Sequence, residues 1–199
     1  SVAAISEIAR ANRIGLVFGM PERVGDKVFN AAVAIDETGN RCGSYRKIHL
    51  FGADEPQTFA PGGEVRVAAM CGWRVGLAIC YDIEFPETAR ALVRAGADLI
   101  CAPTANMMPY TDVPTTLVRA RALENGTTIV YANLAGTEGN LLYTGMSCIV
   151  GPDGRDLARA GSTGTALLCC STPRSDDGEV PPPSTQLADL REGVLRTPI

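Results

Sequence analysis

Between Arg74 and Asn133 the sequence alternates short apolar runs with segments of helical period, and this alternation restricts the fold more than any other feature. Residues 74–80, 98–102 and 127–133 read as buried strands. A helix opening at Pro86, with Ala89, Leu92 and Val93 on one face and Gly96 near its end, separates the first two. A second helix, over residues 113–125, separates the next pair, with Pro114 near its start and Gly126 as its stop. Strands linked through helices are crossover units, which favour parallel pairing.

The flanks add hairpins. Residues 1–12 carry Val2, Ile5, Ile8 and Ala11 at helical spacing, and residues 14–19 and 28–35 read as neighbouring strands closed by a turn at 36–40. A third extended piece, 41–50, leads into a polar loop at 51–63, and a further strand is expected at 64–70. Strands are also expected at 146–150, before the turn Gly151-Pro-Asp-Gly154, and at 165–170. The class is therefore α/β with a mixed sheet. Residues 1–170 are expected to form one domain, and 171–199, with Pro181-Pro182-Pro183, an extended connector and tail.

Composition narrows function. The chain has 199 residues, of which 46% are hydrophobic, with a net charge of -4 and no basic run, so nucleic acid is not an expected partner. No apolar stretch has the length of a membrane span, and the first ten residues are unlike a signal peptide, so a cytoplasmic location is expected. Seven cysteines, an odd number with no C-x-x-C pair, argue against a disulfide framework and a zinc finger. The single histidine, His49, excludes a His-rich metal site. No metal or organic cofactor is expected.

Cys80 ends a strand just before a helix, and a thiol at such an elbow is presented at the carboxyl edge of the sheet, where a helix N-terminus would favour its thiolate. The alternative is a buried, inert cysteine. Lys47, one of two lysines in the chain, follows a strand and precedes the long loop. It can hold a carbonyl oxygen as it becomes an oxyanion, or it can be a solvated surface group. His49 is a second candidate base for Cys80 or a structural histidine. Glu55, in the same loop, could fix the lysine or be a plain loop acid.

Five motifs follow in order: Tyr45-Arg-Lys-Ile-His-Leu-Phe51; Glu55 with Phe59-Ala-Pro-Gly62; Val75-Gly-Leu-Ala-Ile-Cys-Tyr-Asp-Ile-Glu-Phe-Pro-Glu87; Arg119-Ala-Arg-Ala-Leu-Glu-Asn125; and Gly145-Met-Ser-Cys-Ile-Val-Gly-Pro-Asp-Gly154. Together they resemble the nitrilase superfamily of carbon-nitrogen hydrolases over roughly residues 14–170. The resemblance implies an αββα sandwich, a homodimer or higher homo-oligomer, and a Glu-Lys-Cys triad. It makes Cys80 the nucleophile, Lys47 the catalytic lysine and Glu55 the supporting glutamate. The N–H of Tyr81 shares oxyanion stabilisation with Lys47, and His49 returns to a structural role. The general-base glutamate, together with a first strand, helix and second strand, is expected upstream of Ser1. Glu22 matches a different position, in a loop after the first strand.

Cys80-Tyr81-Asp82 is similar to the amidase-like branch, bacterial aliphatic and stereoselective amidases first and omega-amidase-type enzymes next. The implied reaction is hydrolysis of a small-molecule carboxamide to carboxylate and ammonia through a cysteine thioester. Nitrile hydrolysis by the same triad is one alternative. A catalytically impaired, oligomer-forming remnant is the other.

Overall fold

The computed structural model describes residues 1–172 and 184–191. Its elements are α1 (Val2–Asn12), β1 (Leu16–Val24), β2 (Lys27–Ile35), β3 (Arg41–Arg46), α2 (Glu55–Thr58), β4 (Arg66–Met70), β5 (Trp73–Leu77), α3 (Pro86–Arg94), β6 (Leu99–Thr104), α4 (Val118–Asn125), β7 (Thr128–Asn133), β8 (Ala135–Glu138), β9 (Leu141–Thr144), β10 (Cys148–Val150), β11 (Asp156–Arg159) and α5 (Gln186–Asp189). Two sheets carry the architecture: β1-β2-β3, all antiparallel, and β11-β10-β7-β6-β5-β4, in which β5, β6 and β7 run parallel through the α3 and α4 crossovers.

Alternation along the strands builds three apolar layers. On β2, Val33 and Ile35 face α1 and pack on Ala9, while Ala32 and Ala34 face the second sheet. On the second sheet, Ala68, Val75 and Leu77 meet that inner layer, whereas Ile100, Ala102, Ile129 and Tyr131 pack outward under Leu92 of α3 and Val118 and Ala122 of α4. The order helix, sheet, sheet, helix is an αββα sandwich. The two sheets approach closely: a Cβ on Gly43 would lie 2.8 Å from the Cβ of Ala68, so β3 needs glycine there.

Several boundaries differ from the sequence reading. The first strand does not stop at Gly19 but runs through Pro21 and Glu22 to Val24, paired with β2 alone among the described residues. An edge strand tolerates proline because one side of its backbone needs no ladder partner. The loop at 51–63 contains the short helix α2. Residues 165–170 form no strand. The edge beside β10 is taken by β11, which the turn Gly151–Gly154 folds back antiparallel, and Leu167 is 90% exposed. The charged Asp156 and Arg159 concealed β11 from a hydrophobicity reading, although they serve it well: Arg159 holds Asp156 at 2.7 Å and donates to the Pro114 carbonyl at 2.9 Å. The hairpin β8–β9 was also unforeseen. The proline connector at 181–183 lies outside the described residues. Among the described residues, no helix is long and apolar enough to cross a membrane.

Candidate active site

Lys47 lies one residue past β3, where its N–H still bonds the Asn30 carbonyl at 2.8 Å and continues the β2–β3 ladder. The same alternation that turns Gly43 and Tyr45 toward the second sheet turns Lys47 inward, to 1% exposure. An ammonium removed from water costs several kcal/mol unless it is paired. Glu55 supplies the partner, with Lys47 Nζ donating to its Oε2 at 2.6 Å. Asn30 Nδ2 donates to the other oxygen at 3.2 Å and the Phe51 N–H to Oε2 at 2.5 Å, so the carboxylate is held from three sides. Gly62 permits the enclosing loop to close: its N–H bonds the Lys47 carbonyl at 2.8 Å, and a Cβ there would stand 2.1 Å from the Arg46 oxygen.

Cys80 begins a tight turn of 3-10 type, Cys80–Glu84, directly after extended Ile79, and has φ +48. A left-handed conformation at a non-glycine residue is a strained elbow of the kind that lifts a side chain out of the sheet. The expected thiolate does not follow. Burial raises the Cys80 pKa above the ordinary thiol value, and the opposing effects of the Ala105 backbone N–H, the Lys47 ammonium and the Tyr81 N–H do not overcome it, while the Glu55 charge adds to the rise. The regular helix starts only at Pro86, after the tight turn. The raised pKa favours the neutral thiol form of Cys80.

A fully buried carboxylate, Asp82, joins these two halves. Its Oδ2 accepts from the Tyr45 hydroxyl at 2.8 Å and the Ile79 N–H at 3.1 Å, and its Oδ1 accepts from the His49 N–H at 3.0 Å and from His49 Nδ1 at 2.9 Å. The elbow is thereby bonded to both sides of Lys47. His49 is occupied with Asp82 and stacks on Phe85 at 3.8 Å between centroids, which is a structural histidine's role. Asp82→Ala would leave several buried donors unsatisfied and is expected to lower stability by about 3 kcal/mol. Tyr45→Phe, which removes one of those donors, is expected to cost about 1 kcal/mol. Urea unfolding midpoints of the two variants check the order; equal losses would contradict it.

Lys47, Glu55 and Cys80 all line one cavity of about 690 Å³ between the sheets. Glu22 does not join them. It lies on β1, bonded to Arg46 Nε at 2.7 Å and Arg41 at 3.1 Å, and these guanidiniums, Arg46 first, hold its carboxyl below the usual range. Three participants escaped the sequence reading. Asn30 was read only as a strand residue, Asp82 only as part of a motif, and Ala105 contributes a backbone N–H that no side-chain pattern reveals. Among the other six cysteines, Cys71, Cys169 and Cys170 are exposed and Cys148 is buried.

A sandwich of this kind, with a buried lysine-glutamate pair beside a cysteine elbow, defines a class that comparison with known proteins makes explicit. The family model described as "Carbon-nitrogen hydrolase" matches residues 1–179, and the chain belongs to that family. It is 42% identical over 193 residues to "Hydrolase in pqqF 5'region" of Pseudomonas protegens, covering 96% of this chain and 67% of that protein. It is 36% identical over 162 residues to an (R)-stereoselective amidase of Pseudomonas sp, covering 81% and 58%. A solved structure of a mutant amidase from Nesterenkonia sp. AN1, showing Michael addition of acrylamide at its active site cysteine, matches with a TM-score of 0.77. Identity there is 40%, and the match covers 81% of this chain and 65% of that one. The fold is thus that of the nitrilase-superfamily amidases, and the chain spans 58% to 67% of the length of these relatives.

Proposed function

We propose that the protein hydrolyses a small-molecule carboxamide to a carboxylate and ammonia, with Cys80 as nucleophile. The observation that carries this reading is the convergence of a strained cysteine elbow and a buried lysine, already neutralised by Glu55, on a single cavity. Cys80 loses its proton to a carboxylate acting as general base. The sulfur then forms a bond to the amide carbon, and the carbonyl π electrons move to oxygen. The Lys47 ammonium and the Tyr81 N–H stabilise that oxyanion. Collapse expels the nitrogen as ammonia once it has gained a proton, leaving a thioester. Water adds to the thioester, and the carboxylate leaves as the thiol is restored.

Glu55 serves Lys47 rather than the substrate in this scheme. Its oxygens are engaged by Lys47, Asn30 and the Phe51 N–H, which suits a group that fixes a cation better than one that shuttles protons. The test is a panel of amides and matching nitriles supplied to the full-length protein, with ammonia release as the readout. Release from amides well above nitriles is expected. Nitrile preference would place the protein in the other hydrolytic class, and release from neither by a folded protein would favour a non-catalytic oligomer-forming role.

A further inference from the structure

We propose that Asp82 is a positioning residue whose buried carboxylate sets the place of Lys47 relative to Cys80, two groups that arrive from different sheets. This rests on the amidase reading above and adds to it the group that fixes its geometry.

Lys47 follows β3 of the three-stranded sheet and Cys80 follows β5 of the six-stranded one, so among the described residues no strand ladder runs between them. The Asp82 side chain spans that gap. Toward the elbow, its Oδ2 accepts from the Ile79 N–H while its own N–H donates to the Ile79 carbonyl at 3.0 Å, and the two residues close reciprocally around Cys80. Toward the lysine, three donors come from residues 45–49: the Tyr45 hydroxyl, the His49 N–H and His49 Nδ1. The Tyr45 hydroxyl also accepts from the Ile48 N–H at 3.1 Å, which fastens the residue after Lys47 to the same carboxylate.

The turn alone does not need these three donors, because the Ile79–Asp82 pair already closes it. What they add is a link to the lysine segment, and the link is stiff. Asp82 and Tyr45 are fully buried by the described residues, so an Asp82 oxygen that lost a donor would gain no water in exchange. Bonds to an ionised acceptor are also about twice as strong as neutral ones. Burial first, and then the Asp82 charge, raise the Tyr45 pKa above its ordinary value, which keeps the hydroxyl a donor. In the proposed reaction the oxyanion must lie within hydrogen-bond reach of both Lys47 Nζ and the Tyr81 N–H. A misplacement of about 1 Å between such groups can cost about 10²-fold in rate, and the carboxylate joining the two segments holds that spacing.

The test is a double-mutant cycle in the full-length protein, read by steady-state kinetics of amide hydrolysis. Tyr45→Phe, which removes one arm and keeps the ring, is expected to lower kcat about tenfold with KM within about twofold. In the Lys47→Met background the same change is expected to cost no more than about twofold further, because an effect that acts through Lys47 has nothing left to act on. An unchanged kcat in Tyr45→Phe, or losses that multiply in the double variant, overturns the inference. Should the double variant fail to fold, His49→Leu and His49→Asn replace it. The leucine is expected to lower kcat about tenfold and the asparagine, whose Nδ2 can stand where Nδ1 does, to restore it to within about threefold; equal rates in the two overturn the inference. If the unaltered protein releases no ammonia from amides, the amidase reading falls, and the same cycle is read on acrylamide addition to Cys80 by intact mass. There the sulfur bonds the terminal alkene carbon, the π electrons move to the carbonyl oxygen as an enolate, and the proton from the thiol ends on the α carbon. Slowing by Tyr45→Phe of about tenfold that requires Lys47 leaves the positioning role standing, whereas slowing independent of Lys47, or no addition at all, removes it.

Discussion

Cys80→Ala is expected to lower amide turnover by about 10⁴-fold or more, because without the sulfur no thioester forms and only oxyanion contacts and substrate binding remain. The fold should survive the change. Alanine meets the same backbone strain at φ +48 as cysteine does, and the turn is held by Asp82 and Ile79 rather than by the thiol. The loss should also be specific. Cys42, Cys71, Cys101, Cys148, Cys169 and Cys170 lie outside the lining of the Lys47 cavity, so their replacement should leave turnover within a few-fold of normal. Ammonia release by each single variant, together with its thermal midpoint, checks this. Turnover retained by a folded Cys80→Ala protein would remove the nucleophile from the scheme.

Lys47→Met should reduce kcat by about 10²- to 10³-fold with little change in KM, since a contact to an oxyanion exists mainly in the transition state. Methionine fills much of the buried slot, so the loss of charge is separated from the loss of volume. One cost is structural: Glu55 would keep only Asn30 and the Phe51 N–H as partners. Its 24% exposure lets water recover part of the lost pairing, so the variant should fold with reduced stability. Steady-state kinetics beside urea unfolding distinguish the effects. A rise in KM at constant kcat would make Lys47 a ground-state anchor for the substrate.

The legible parts of the molecule were those governed by periodicity. Gly126 in its left-handed cap, Pro86 at the start of α3 and the continuous apolar runs of β5, β6 and β7 each state their conformation locally. The elements that escaped depend on partners far away in the chain. β11 is polar because its side chains answer Arg119 and the Pro114 carbonyl, and the β8–β9 hairpin is set by a loop thirty residues earlier. The same division holds in the site. Cys80, Lys47 and Glu55 sit in ordered motifs, whereas Asn30 and Asp82 matter through contacts that only folding creates. The thiolate expectation failed for a related reason, since burial is a property of the assembled sandwich and outweighs the Ala105 and Tyr81 N–H groups and the Lys47 charge that favour a thiolate.

The most direct measurement is acid quenching of the full-length protein during turnover of butyramide, followed by intact mass and peptide mapping. A butyryl adduct confined to the Cys80 peptide, formed and lost at rates compatible with ammonia release, is the expected result. Sustained ammonia release with no adduct on Cys80 under conditions that preserve a thioester, or an adduct carried by another residue, would contradict covalent catalysis at this elbow.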